Sequence, residues 1–140
     1  MKVVSLFLLP LLTIAHDFTN CKDNTILNVQ SILLNPDPPV IGQNLDINIK
    51  GISSKIISSA STTLTIKSFG IQVLQKNFDL CSITSCPIPE NQLSNINISE
   101  NIPSEIPAGI TLNVELVSKT DVDEIACIDL SFKLSKNYLN

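Results

Sequence analysis

Residues 127–134, CIDLSFKL, alternate between apolar and polar side chains. The apolar members would share one face of an extended chain, and they are Ile128, Leu130, Phe132 and Leu134. Successive side chains of a β-strand point to opposite sides, so this period of two predicts a strand with one buried face. The polar residues between them, Asp129, Ser131 and Lys133, would face solvent.

The same alternation recurs upstream, with turn residues between the segments. It is clear in NLDINIKG (44–51), TTLTIKSFG (62–70) and ITLNVELV (110–117), and weaker in residues 25–32 and 71–80. NPDPP (35–39) and the Pro107–Gly109 stretch interrupt the pattern, because proline cannot continue a strand or a helix. Six or seven short strands separated by turns predict an all-β fold, an antiparallel β-sandwich.

The first fifteen residues have the organisation of a secretory signal. Lys2 precedes an apolar run, and Thr13 and Ala15 supply small residues at the −3 and −1 positions of a cleavage site. The run is shorter than the roughly 20 residues that span a bilayer, which argues against a membrane anchor. We therefore expect a signal peptide at residues 1–15, one domain at 16–140, and a secreted or endolysosomal location.

Charge and composition exclude several classes of protein. The chain has a formal net charge of −4, and its nine basic residues are all lysines, so a nucleic-acid partner is not expected. The single histidine, His16, falls at the expected mature N-terminus, and no Gly-x-Ser-x-Gly motif is present. Asp121, Asp123 and Glu124 lack the rest of a calcium-binding loop. We expect no enzymatic activity, no metal and no cofactor.

Four cysteines allow three disulfide pairings. A secreted chain favours disulfides over free thiols, and the Cys81-x4-Cys86 spacing does not match a Cys-x-x-Cys redox motif. The simplest pairing joins Cys81 to Cys86 within a turn and Cys21 to Cys127 near the two ends of the domain. The two alternative pairings would require chain crossings that nothing in the sequence indicates.

Three segments together resemble the ML family of secreted lipid-recognition proteins, and within it the phosphatidylglycerol/phosphatidylinositol transfer proteins. These segments are FDLCSITSCPI (78–88), IPSEIPAGITLNVEL (102–116) and IACIDLSF (125–132). The resemblance extends over essentially the whole mature chain. It implies an immunoglobulin-like sandwich of two sheets that enclose an apolar lipid cavity. The sterol carrier of the family usually has a further disulfide where this chain has NPDPPVIGQ (35–43), which argues against a sterol ligand.

The resemblance also implies that the inward-facing residues form the wall of the cavity. Alternation alone favours an ordinary packed aliphatic core. The residues expected to line the cavity are Ile47, Ile49, Leu64, Ile66, Val73, Phe78, Leu112, Val114, Leu130 and Phe132. The expected mouth combines the cysteine loop with the Ile106-Pro107 turn, through Ile83, Pro87, Ile88 and Ile106. A purely structural clip is the alternative for the cysteine loop.

These expectations give a monomeric phospholipid carrier that contacts membranes transiently. The alternatives are a lipid- or sterol-sensing accessory that acts with a receptor and an adhesion domain with a filled core. Asn97 begins an Asn-Ile-Ser sequon, so we expect a surface glycan at that position. The lysines Lys50, Lys67 and Lys76 could contact an anionic head group, although solvent-facing strand lysines are common.

Overall fold

A computed structural model describes residues 15–136. Most of the expected signal peptide, residues 1–14, therefore lies outside the described residues. The elements in chain order are β1 (Thr19–Asn20), β2 (Leu27–Asn35), β3 (Asn44–Ser53), β4 (Ser61–Ser68), β5 (Ile71–Asp79), α1 (Leu80–Ile83), β6 (Leu93–Asn101), β7 (Thr111–Lys119) and β8 (Glu124–Lys133). Within this range, no helix is long and apolar enough to cross a membrane.

The strands form two antiparallel sheets. One sheet has five strands in the order β1-β8-β7-β4-β5, and the other has three in the order β2-β3-β6. The predicted two-sheet sandwich is therefore confirmed. The strand β8 contains all but the last residue of the alternating segment that predicted it, with Leu130 opposite Val114 and Phe132 opposite Leu112 of β7.

The core lies between the two sheets and is almost entirely aliphatic. Alternate residues of every long strand except β5 are buried. In the three-stranded sheet, the register places Ile47 beside Ile98 and Ile49 beside Ile96. Full burial of a Leu, Ile or Val side chain is worth about 1.5–3 kcal/mol, so these paired rows hold the sheets together.

Two disulfides fix the ends of the fold. Cys21 pairs with Cys127, with their Cα atoms 5.1 Å apart, and Cys81 pairs with Cys86 at 5.4 Å. The structure thus contains the simplest of the three pairings, and no cysteine is free. The Asp79 carboxylate accepts a hydrogen bond from the Cys81 N–H at 3.1 Å and caps the short helix α1.

A two-residue turn joins β4 to β5. Phe69 and Gly70 both have positive φ, at 52° and 77°, and Ser68 pairs with Ile71 across the turn. Two positive φ values match the twist of a hairpin, but bulky residues rarely adopt them. The turn directs Phe69 away from the core, because its side chain is 82% exposed.

Candidate functional site

Eight of the ten residues expected to line a cavity face the space between the sheets. Each is at most 5% exposed, and they are Ile47, Ile49, Leu64, Ile66, Leu112, Val114, Leu130 and Phe132. A ninth residue, Phe78 of β5, is partly buried against this cluster. The alternation of the sequence therefore located the interior surface of both sheets.

Val73 does not belong to this interior. Its side chain is 41% exposed. The register pairs Leu74 with Ile66 and Phe78 with Thr62, so the inward positions in this part of β5 are Leu74, Lys76 and Phe78. The pairing shifts between Ile66 and Lys67 of β4, where Val73 is the extra residue of β5, so the alternation assumed from the sequence does not continue through Val73.

The interior is closed in this structure, in contrast to the expected open cavity. A void of about 20 Å³ lies between the sheets, bordered mainly by Leu27, Ile49, Ile96, Leu116 and Ile128. That volume is near the limit for one water molecule, whereas ligand pockets usually have about 300–1,000 Å³. The aliphatic side chains that face each other across the two sheets are almost completely buried. Any large ligand here requires the sheets to separate.

Two hydroxyl groups lie on the wall of this apolar void. Thr62 of β4 donates to Ser118 of β7 at 3.0 Å, and both residues are buried. Mutual hydrogen bonding reduces the cost of burying them. The sequence analysis did not identify this pair, because the two side chains meet only through the register between β4 and β7, which the sequence does not reveal.

The residues expected to form the mouth lie at opposite ends of the sandwich. The cysteine loop contacts the start of β6, where the Thr84 hydroxyl donates to the carbonyl of Asn95. Ile106 follows the other end of β6, nine residues long, and about 30 Å separates the ends of such a strand. Ile88 is fully buried and pairs with Ile57, so it belongs to the core. The expected mouth is therefore wrong as a single site.

One long side of the sandwich, the β2–β8 side, is closed by main-chain hydrogen bonds. The His16 N–H donates to the Ile32 carbonyl at 2.7 Å, and the Ile26 N–H donates to the Glu124 carbonyl at 3.0 Å. Farther along, the Ser135 N–H donates to the Pro39 carbonyl at 2.9 Å. These bonds join the two sheets along the whole length of this side.

The opposite long side, the β5–β6 edge, is joined differently. Lys76 of β5 contacts Glu100 of β6, with 2.6 Å between Nζ and Oε2 and 3.1 Å between Nζ and Oε1. In the described part of the chain, this side-chain pair is the hydrogen-bonded link between the two edge strands. The cysteine loop covers one end of the edge, since Ile88 and Ile57 exchange main-chain bonds of 2.8 and 3.1 Å there.

An apolar surface lies next to this edge, at the tip of the β4–β5 hairpin. It consists of Phe69, Ile71 and Val73, and we call it the hairpin-tip surface; Ile71 is 69% exposed. Ile71 follows the turn directly, and Val73 lies at the register shift of β5, so the three side chains are grouped by their position at the end of the hairpin. Large exposed apolar side chains grouped in this way often mark a contact with a membrane or another protein.

The other surfaces fit a lipid tail or a metal less well. A groove of about 560 Å³ on the outer face of the five-stranded sheet is lined in part by Asp17, Lys67, Glu115 and Asp129, which disfavours acyl chains. Cys21, Cys127 and Glu115 cluster within 4.8 Å, but the disulfide leaves no thiolate to bind a metal. Asp123 forms an ion pair with Lys55 at 3.3 Å. It lies in the acidic turn that, by its sequence, lacks the rest of a calcium-binding loop.

Asn97 lies on the exposed outer face of β6. Its side-chain oxygen accepts a hydrogen bond from Asn48 at 2.6 Å. The nitrogen that a glycan would modify is the other atom of the amide, so this bond is compatible with modification.

Comparisons with known proteins agree with this architecture. The ML-domain family model matches residues 15–134. A phosphatidylglycerol/phosphatidylinositol transfer protein of Mycosarcoma maydis is 32% identical over 117 residues, which cover 77% of this chain and 60% of that protein. A Niemann-Pick type C2 protein from Japanese carpenter ant superposes with a TM-score of 0.66 at 14% identity, covering 85% of this chain and 99% of the other. The structure of chicken MD-1 complexed with lipid IVa superposes with a TM-score of 0.54 at 19% identity, covering 87% of this chain and 88% of the other.

Proposed function

This chain belongs to the ML-domain family, and from that premise we propose that it carries single phospholipids between membranes. Phosphatidylglycerol and phosphatidylinositol are the proposed cargo, because sequence relatives carry those names. The observation that carries the proposal is the difference between the two long sides of the sandwich. One side is joined by main-chain bonds, while an ion pair spans the other.

This difference provides a route for acyl chains. The sheets would separate at the β5–β6 edge, while the β2–β8 side and the Cys21–Cys127 disulfide keep them together as a hinge. β5 is the least buried long strand of the sandwich, so its displacement exposes little apolar surface. The tails would then replace side-chain contacts across the aliphatic interior, and the head group would remain at the edge.

The energetics suit a carrier. Each methylene removed from water is worth about 0.8 kcal/mol, so a tail of about fifteen methylenes gains about 12 kcal/mol. A bilayer offers the same gain. The protein therefore competes with the membrane on nearly equal terms, and the cost of parting two packed sheets favours return of the lipid. Exchange in both directions is what a carrier needs.

Membrane contact would occur through the hairpin-tip surface. Phe69 and Ile71 project from the end of the hairpin whose second strand is β5. Insertion of these side chains among lipids would bring the movable edge to the bilayer surface. Their burial there requires no change in the core, because both are exposed in the closed structure.

The proposed setting is the extracellular space or the endolysosomal lumen, and the proposed active form is a monomer without enzymatic activity. Two disulfides with no free cysteine suit an oxidising compartment. A glycan on Asn97 would project from the outer face of β6 and leave the interior accessible.

Native mass spectrometry of the purified secreted chain, with extraction of its lipids, tests the proposal together with a vesicle assay. We expect one phospholipid per chain and transfer of pyrene-labelled phosphatidylglycerol from donor to acceptor vesicles. A chain that binds no phospholipid and transfers none would overturn the proposal. A chain that retains lipid but transfers none would favour the receptor-dependent accessory role instead.

A further inference from the structure

We infer that Lys76 binds the phosphodiester of the carried lipid and that Glu100 positions Lys76 and accepts hydrogen bonds from hydroxyl groups of the head. The ligand class is a phosphodiester head that carries hydroxyl groups. The assignment rests on the proposed function, because it concerns the edge through which the lipid would enter.

The position of Glu100 is unusual for a carboxylate. It follows Ile96 and Ile98 on the inward face of β6, and its side chain is only 8% exposed. Burying a carboxylate costs desolvation, and a lysine that is itself half-exposed offsets that cost only in part. Stability alone therefore does not account for a charged pair at this edge.

The surroundings of the pair suit an amphipathic ligand. Lys76 lies opposite Leu64 on β4, and Glu100 lies opposite Leu45 on β3. Both leucines are almost completely buried in the aliphatic interior. A lipid that enters at this edge would place its tails against that interior and its head group beside the two charges.

Lys76 remains accessible to a further partner. Its side chain is 50% exposed, and its ammonium group has three N–H donors for the two Glu100 oxygens that it contacts. An ammonium group binds phosphate as a compact point charge. The same Nζ can thus hold a phosphate oxygen at the surface while it stays close to Glu100.

Glu100 adds selectivity to this arrangement. An ionised carboxylate only accepts hydrogen bonds, so it pairs with the hydroxyl groups of a glycerol or inositol head. The trimethylammonium group of phosphatidylcholine has no hydrogen-bond donor, and its methyl groups keep its charge away from the carboxylate, so it gains only a screened attraction at this half-exposed edge. The pair should therefore favour a hydroxyl-bearing anionic head over choline.

Vesicle transfer of two pyrene-labelled lipids, phosphatidylglycerol and phosphatidylcholine, tests the assignment in variants of the full secreted chain. K76Q/E100Q removes both charges and leaves two side chains that can still hydrogen-bond to each other. We expect its ratio of phosphatidylglycerol to phosphatidylcholine transfer to fall about tenfold, the change expected for one charge-assisted hydrogen bond. K76R should retain the ratio of the unmodified protein.

The matched control is K119Q, which removes an exposed lysine at the end of β7, away from the edge. It should leave the ratio unchanged. K76M/E100L provides a second variant with an apolar edge, in case the glutamine pair impairs folding. Its ratio of phosphatidylglycerol to phosphatidylcholine transfer should fall to the same extent.

The outcomes separate this assignment from the carrier proposal. If the unmodified protein transfers no phospholipid, the proposed function fails. If it transfers lipid and both double variants keep its ratio, the carrier stands and the head-group assignment is overturned. An equal change for both lipids would show that the pair only holds the edge closed, which also contradicts the assignment.

Discussion

His16 and Ser131 are joined by a hydrogen bond of 2.7 Å, which His16 Nε2 donates to the main-chain carbonyl. The main-chain N–H of His16 donates to Ile32 at the same distance. Ser131 belongs to the five-stranded sheet and Ile32 to the three-stranded sheet. The residue that the sequence analysis placed at the expected mature N-terminus thus connects both sheets on the side opposite the β5–β6 edge.

Replacement of His16 by alanine should weaken this connection. We expect the free energy of unfolding to fall by about 1 kcal/mol, since the short side-chain hydrogen bond to Ser131 and the longer, exposed one to Asp37 are lost while the main-chain bond to Ile32 remains. Urea denaturation of the secreted chain at constant pH measures the change. Asp17→Ala, at the exposed neighbouring position, is the control and should shift the midpoint little. Equal midpoints for H16A and the unmodified protein would contradict this role.

The two disulfides should differ strongly in their contributions to stability. Cys21 and Cys127 are 106 residues apart, whereas Cys81 and Cys86 are separated by 5. In the chain-entropy model, a loop of about 100 residues contributes about 4.7 kcal/mol, and short loops contribute less. C21S/C127S should therefore lose more free energy of unfolding than C81S/C86S, as measured by urea denaturation. Equal losses would indicate that native-state contacts, rather than loop closure, determine the effect.

The hairpin-tip surface should contribute to membrane binding and not to stability. F69S/I71S removes two exposed apolar side chains, so we expect an unchanged melting temperature and at least a several-fold loss of binding to phosphatidylglycerol vesicles. Flotation with vesicles measures binding, and pyrene-lipid transfer should fall in parallel.

Val122→Ser is the matched control for the hairpin tip. Val122 is 88% exposed in the turn between β7 and β8, at the other end of the sandwich. It should leave binding unchanged. If V122S weakens binding as much as F69S/I71S does, contact with the membrane is not confined to the hairpin tip.

The sequence predicted the sheets well because alternation is a local property. The inward rows of β7 and β8, such as Leu112 with Phe132, followed directly from a period of two. The mouth could not be predicted in this way, because the distance between Ile83 and Ile106 depends on where each loop lies along β6. The closed interior could not be predicted from the sequence either. Its void of about 20 Å³ depends on both the side-chain volumes and the separation of the sheets.

Lys76 shows the same limit at the level of a single contact. The sequence analysis treated Lys76 as a possible head-group contact or an ordinary solvent-facing lysine, whereas the register places it on the inward side of β5 with Leu74 and Phe78. Its partner is Glu100, 24 residues later on the other sheet. The pair can be recognised only once the two edge strands are known to lie side by side, because no local sequence pattern relates the two residues.

Covalent closure of the β5–β6 edge should stop lipid exchange. In a K76C/E100C variant, a short bismaleimide added after folding would hold β5 against β6 and prevent the sheets from parting. Because the β2–β8 side is already bonded, we expect at least a tenfold loss of phospholipid transfer without loss of folded structure. Treatment of the same variant with a monofunctional maleimide modifies both positions without joining them, and it should preserve far more activity. Undiminished transfer by the crosslinked protein, with crosslinking verified by mass, would mean that lipid enters elsewhere, such as at the ends of the sandwich.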